Sequence, residues 1–403
     1  MKIAYGKLGR SIPLTVDSCG EVGGDIEVVN LMNRLVAEGH EVHLVGRNRA
    51  DVEVPGVVNH WAKGGLFYAT PVPTRNIDDP EYVAFLQYLE TQTPKLPKFD
   101  AWVLWLGQHG SSLHCVPAVA EGMAGQYTEP LISLINYGYP VVHMVNKLGV
   151  RPIWLCPDPR NMIKMRDLWD PNQRTVLAQY QVKKNNTFFS EIDDTLRSGF
   201  TTYNYSGIEM LAVNPEDLIE EVTPEQFNQR RKFGILVNEG PTGGKSPRLG
   251  LVEKWLKPLP LEPDSIAGTW TVNSAAKLGI IIRAIPNQQV NKWLRQFATT
   301  ITFPASSSGW ATAKPWECFA SGVLCFKHPE YDDQNHIYSK THMPQELRQF
   351  LSPYSSSEFR ERVNTLNPEL WARFANLQRQ YFIDSYSRLE GGYGAIRAAI
   401  ESF

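Results

Sequence analysis

The chain has 403 residues, 42% of them hydrophobic and 20% charged, with a formal net charge of −2. That length exceeds one ordinary hydrophobic core and predicts two domains, while the apolar fraction excludes wholesale disorder. Near-neutrality excludes a general attraction for nucleic acid, so any such contact has to come from a local basic patch.

Met1–Tyr5 reads as a short apolar strand, Gly23–Asp25 as a turn and Ile26–Glu38 as a helix with apolar residues at helical spacing. Gly39 stops that helix and Val42–Val45 is a second strand, completing a βαβ unit that implies a parallel sheet with both faces covered. Ala101–Leu106, Val141–Val145 and Ile153–Leu155 read as further strands. Each is followed by a turn rich in Gly, Pro or small polar residues, where open α/β sheets bind ligands. Between Lys147 and Lys184 eight basic residues face three acidic ones, a local charge of +5 that suits either a phosphate groove or a solvated surface.

The polar run Asn214–Lys232 marks a domain boundary, after which the α/β rhythm restarts. Phe233–Val237, Ser265–Trp270, Gly279–Ile285, Thr299–Phe303 and Gly322–Phe326 are predicted strands. Leu249–Leu256 is a predicted helix, and another begins at Glu317–Ala320. Pro368–Ser402 is strongly helical, with its last part able to return to the first domain. The expected division is 1–232, 233–380 and a C-terminal helix over 381–403.

Three loops could carry chemistry. The loop Glu239–Ser246 follows a strand and precedes a helix; its glycines let backbone N–H groups approach a phosphate, and Lys245 adds a charge. Glu stands where a Walker A loop requires Gly, so it is not one. In Lys314-Pro315-Trp316-Glu317 a carboxylate at a helix start could accept both hydroxyls of a ribose, or simply favour the helix dipole. In Cys156-Pro157-Asp158-Pro159-Arg160 a carboxylate pinned between prolines after a strand suits a general base, and Arg160 suits a phosphate; an Asx-turn accounts for the same pattern.

Other features exclude more than they suggest. Cys19, Cys115, Cys156, Cys318 and Cys325 lack CxxC spacing, so neither a zinc site nor a disulfide framework is indicated. The adjacent acids Asp193-Asp194 and Asp332-Asp333 fit solvated pairs better than ligands, so a divalent metal such as Mg²⁺ is not called for. His114, His143 and His328 are isolated and read as structural. No apolar run approaches the ~18–20 residues of a membrane span, and no secretory pattern opens the chain. The expectation is a monomer of the cytoplasm without a membrane partner.

Four segments, MKIAYGKLG (1–9), PKFDAWVLW (97–105), IWLCPDPRN (153–161) and above all KPWECFASGVLCFKHPEYD (314–332), together resemble the DNA β-glucosyltransferase family of T-even phages. The resemblance runs thinly over most of the chain. It implies a GT-B α/β fold, two Rossmann-like doubly wound domains facing a cleft, with C-terminal helices. It implies an acceptor-binding first domain and a nucleotide-sugar-binding second one. Asp158 then resembles the general base, Glu317 the ribose-binding carboxylate, and Lys314 stands where the family has a phosphate-binding arginine, without that residue's bidentate geometry. Gly243, Gly244 and Lys245 resemble the donor-diphosphate loop, across a gap, and Gly24 is placed with the donor-binding positions. Lys147, Arg160, Lys164 and Arg166 are the candidate DNA contacts.

The resemblance further implies an inverting transfer of a sugar from a UDP-sugar, UDP-glucose by analogy, to a hydroxymethylated pyrimidine in double-stranded DNA, with the base flipped out of the stack. Gly309 occupies the place of the second Glu of many retaining GT-B enzymes, which agrees with inversion. Transfer to a small-molecule or glycan acceptor, and a non-catalytic binding module, remain as alternatives.

Overall fold

The computed structural model describes residues 1–8, 23–45, 54–60, 65–66, 79–106, 139–150, 153–156, 203–204, 213, 218–237, 247–256, 259, 264–268, 272–278, 285, 289–303, 314–329, 343–386 and 392–402. They fall into two compact units, Met1–Leu211 with Leu389–Phe403, and Ala212–Arg388.

The first unit is built on β1 (Lys2–Leu8), α1 (Gly23–Ala37), β2 (Glu41–Leu44), β3 (Val57–Asn59), α2 (Pro80–Gln92), β4 (Ala101–Leu106), α3 (Tyr139–Leu148), β5 (Ile153–Cys156) and β6 (Tyr203–Asn204). Its strands form a parallel sheet in the order β3-β2-β1-β4-β5-β6, the doubly wound arrangement in which the order reverses between β1 and β4. Ile3, Ala4 and Tyr5 are consecutive and all fully buried, which a strand permits only when both sheet faces are covered. Asp100 fixes the amino edge by accepting the Lys2 N–H at 2.7 Å.

Helix α1 starts at Gly23, so the predicted turn over 23–25 is its first turn. It ends in a double bond around a left-handed glycine: Gly39 has φ 83°, its N–H reaches the Val36 carbonyl at 2.9 Å, and the His40 N–H reaches Leu35 at 3.0 Å. The segment Val141–Val145, expected as a strand, lies inside α3. Its β-branched residues favour a strand locally, but Pro140 suits a helix start and Gly149, at φ 64°, ends the helix as Gly39 ends α1. A short apolar run does not distinguish the two states, and these flanking signals decide it.

The second unit holds α4 (Pro224–Phe227), β7 (Arg231–Phe233), β8 (Ile235–Leu236), α5 (Pro247–Leu256), β9 (Ile266–Ala267), α6 (Val272–Leu278), α7 (Val290–Leu294), β10 (Phe297–Thr302), α8 (Lys314–Ala320), β11 (Leu324–Lys327), α9 (Gln345–Leu351), α10 (Ser356–Thr365) and α11 (Pro368–Tyr386). β7 and β8 flank Gly234 and pair on opposite sides, β7 with β10 and β8 with β9. The resulting parallel order is β9, β7/β8, β10, β11, with its reversal between β8 and β10. A Cβ on Gly234 would stand 2.4 Å from the Phe297 ring, so glycine is required where the strand changes partner. The predicted strand over 279–285 lies outside the described residues except for Ile285.

The outer side of β11 is closed by a side chain. Gln378 of α11, fully buried, accepts the Cys325 N–H at 3.0 Å and donates to the Val323 carbonyl at 2.8 Å, the bonds a neighbouring strand would make. Trp371 adds an indole N–H bond to the Ala298 carbonyl at 2.7 Å. The last helix, α12 (Gly392–Glu401), belongs to the first unit. Tyr393 donates its hydroxyl to Glu38, just past the end of α1, at 2.6 Å and carries the Arg34 guanidinium of that helix over its ring at 5.3 Å. Among the described residues no helix is long and apolar enough to cross a membrane.

Candidate active site

Each unit's sheet has its order reversal at a place where the sequence carries candidate residues. In the second unit β8 ends at Leu236, the glycine-rich segment 239–246 follows in sequence, and α5 begins at Pro247. Across the reversal β10 ends at Thr302 and the chain returns as α8. Lys314 and Glu317 therefore flank the carboxyl edge of the same pair of strands that the glycine loop leaves. That crevice is where doubly wound sheets take their ligands. Gly243, Gly244 and Lys245 themselves lie outside the described residues.

Lys314-Pro315-Trp316-Glu317 forms the first turn of α8 instead of preceding it. Lys314 Nζ meets Glu317 Oε2 at 2.6 Å, an i,i+3 pair in which the carboxylate is mostly buried and the ammonium partly exposed. The helix is fixed behind them by Ser321, which donates its hydroxyl to the Glu317 carbonyl at 2.7 Å and lies 3.1 Å from Asn291 Oδ1. Trp316 packs near-parallel to Tyr381 of α11 with ring centres 6.0 Å apart, so the register of α8 is set from its buried side. Cys318 is fully enclosed; burial first, then its bond to the Cys325 thiol, raises its pKa well above the ordinary thiol value, which makes it inert.

In the first unit β5 ends at Cys156, so Asp158 follows the carboxyl end of a strand next to β4. Asp158, Arg160, Lys164 and Arg166 lie outside the described residues, as do His114, Asp193-Asp194 and Asp332-Asp333. Gly24 is in the first turn of α1, on the chain leaving β1. Lys147 is elsewhere. It occupies the last turn of α3, which leads into the amino end of β5, and it pairs with Glu90 of α2 at 3.2 Å. A four-residue strand, ~13 Å, separates that edge from the carboxyl edge. Glu90 also lies 3.0 Å from Nε2 of the buried His143.

His328 is buried against Trp255, with ring centres 4.6 Å apart, and burial, then the Lys254 charge, lowers its pKa to about 4. Among the described residues no group of three or more His, Cys, Asp or Glu is placed to hold a metal. One residue that spacing does not single out is Lys327. It is only 3% exposed at the carboxyl end of β11, in register with Thr302 of β10.

No protein-family model matches the chain, and no curated protein matches it. Solved structures do. The chain is similar to a DNA-modifying β-glucosyltransferase, at 13% identity and a TM-score of 0.54, with 100% of each chain covered. It is similar to an α-glucosyltransferase in complex with UDP and a 13-mer DNA containing an HMU base, at 11% identity and 0.53, again over 100% of each chain. A third structure, an α-glucosyltransferase with UDP-glucose and DNA containing an abasic site, aligns over 99% of each chain at 9% identity and 0.51. With two doubly wound units and a likeness that spans both chains from end to end, the protein has the GT-B fold.

Proposed function

We propose that the protein is an inverting glycosyltransferase that moves a sugar from a UDP-sugar, with UDP-glucose the first candidate, to a hydroxymethylated pyrimidine in DNA. The observation that carries this reading is the placement of Lys314 and Glu317 at the carboxyl edge of β8 and β10, beside the exit of the glycine loop. Full-length likeness to DNA glucosyltransferases supports the donor and the acceptor class.

In this reading Glu317 accepts the ribose hydroxyls, while Lys314, Lys245 and the amides around Gly243 and Gly244 hold the diphosphate. Gly24, on the chain leaving β1, belongs to the donor set. Asp158 takes the proton of the acceptor hydroxymethyl group. The oxygen attacks the anomeric carbon as the bond from that carbon to the diphosphate oxygen breaks, and UDP leaves with its charge met by lysines and backbone amides. Arg160, Lys164 and Arg166 contact DNA phosphates. Lys147 serves more remotely, from the other edge of the sheet, where Glu90 competes for it. Gly309, in place of a second Glu, supports inversion. The residues proposed for catalysis and donor binding include no metal set.

The test is to incubate the protein with UDP-glucose and DNA containing 5-hydroxymethylcytosine, digest the DNA to nucleosides and weigh them. A hexose-sized increase that Asp158→Ala abolishes, with UDP binding retained, is expected; NMR of the product should show the β-anomer. UDP release indifferent to DNA would move the acceptor to a small molecule or glycan.

A further inference from the structure

Strand β11 alternates its side chains, Leu324 and Phe326 to one face and Cys325 and Lys327 to the other. Phe326 packs on Phe350 of α9 and Phe359 of α10, with ring centres 5.8 Å and 5.2 Å away, which identifies the face those helices cover. On the opposite face Cys325, whose thiol donates to Thr302 Oγ1 at 3.7 Å, neighbours Cys318 in α8. Helix α8 runs back along β11, since only Ser321–Val323 join them.

Two steps from that cysteine contact now bring two lysines together. From Cys325 to Lys327 the strand advances about 6.6 Å toward its carboxyl end. From Cys318 back to Lys314 the helix retreats four residues, about 6 Å in the same direction, along one helix face. Lys327 and Lys314 thus reach the same level on facing elements, at the edge where Glu317 lies 2.6 Å from Lys314. Lys327 is buried to 3% exposure, and Thr302 beside it to 7%. An ammonium so placed is shielded from salt and water, where a bond to an anion is strongest.

We infer that Lys327 is a donor-binding residue that acts with Lys314 as a two-lysine clamp on the diphosphate of a nucleoside diphosphate. The inference rests on the donor assignment above and adds to it a residue from a third element of the sheet. Lys327 from the strand and Lys314 from the helix approach the diphosphate from two sides, and Glu317 is left to the ribose. The same pair faces the negative charge that builds on the diphosphate as it leaves.

Calorimetric titration of the full chain with UDP and with uridine tests this, alongside the thermal midpoint of each variant. Lys327→Met should weaken UDP binding about tenfold or more, the worth of one charge-assisted bond, and leave uridine affinity unchanged. Unchanged UDP affinity in a folded Lys327→Met overturns the clamp. If that variant does not fold, Lys327→Gln decides by the same criterion, provided it binds uridine normally. A parallel loss of UDP and uridine affinity in a folded variant also overturns it. Wild-type protein that binds neither UDP nor UDP-glucose would overturn the donor assignment itself. Binding of UDP without transfer to DNA would leave the clamp standing and remove only the acceptor.

Discussion

Lys314 and Glu317 neutralise each other across one turn of α8, Nζ to Oε2 at 2.6 Å. The carboxylate proposed for the ribose and the ammonium proposed for the diphosphate are therefore held in one geometry, and a change at either is felt by both. Glu317→Gln keeps the shape but loses the charge and one acceptor. The expected outcome is a rise of about tenfold or more in the KM for UDP-glucose with a smaller change in kcat, since the ribose contact acts in ground and transition states alike. Steady-state kinetics on hydroxymethylated DNA measure it; a pure kcat loss would place Glu317 in the chemical step instead.

Acid should weaken both units through buried histidines. Burial, then the neighbouring His43 charge, lowers the His60 pKa to about 4, and His328 reaches about 4 through burial and Lys254. An unfolded histidine titrates near 6.5, so between about pH 6.5 and 4 the unfolded chain binds more protons than the folded one. Stability is then full above that window and falls as pH drops through it. Thermal midpoints taken at about pH 7, 5.5 and 4.5 should decline in order, and His328→Phe, whose ring still fits between Trp255 and Phe303, should make the decline shallower.

Gly322 joins α8 to β11 at φ 63°, and a Cβ there would stand 2.1 Å from Ile219 Cδ1. Gly322→Ala should cost about 2–3 kcal/mol, combining left-handed strain with crowding. Gly39→Ala is the companion variant: it has φ 83° but nothing within 4 Å of a Cβ, so it should cost only about 1 kcal/mol. Denaturant unfolding gives both values, and equal losses would show that the Ile219 contact relaxes without cost.

The first βαβ unit was legible because its apolar spacing and the stop at Gly39 agree. Val141–Val145 misled because its three valines suit a strand, and only Pro140 and Gly149 speak for α3. Helices α9 and α10 carry few apolar residues, Leu347, Leu351, Phe359 and Val363 among the buried ones, so their periodicity is faint. At the site, Glu317 stood out as a carboxylate at the start of a helix, but its pairing with Lys314 depended on knowing that both lie within that helix. Lys327 could not be read at all. It closes an apolar strand in sequence, and its neighbourhood follows from the register of β11 against α8, a long-range relation that no local pattern encodes. Asp158 is defined by its prolines and its place after β5, and by nothing further.

Gln378 has a consequence for the life of the chain before it is fully folded. A strand with bare backbone groups is a template for a second molecule, and β11, rich in apolar residues, would be a sticky one. Until α11 docks and the glutamine amide covers Val323 and Cys325, that template is open. The helix that completes the sheet is also the one that ends its capacity to recruit other copies, so a chain interrupted before α11 should aggregate rather than wait.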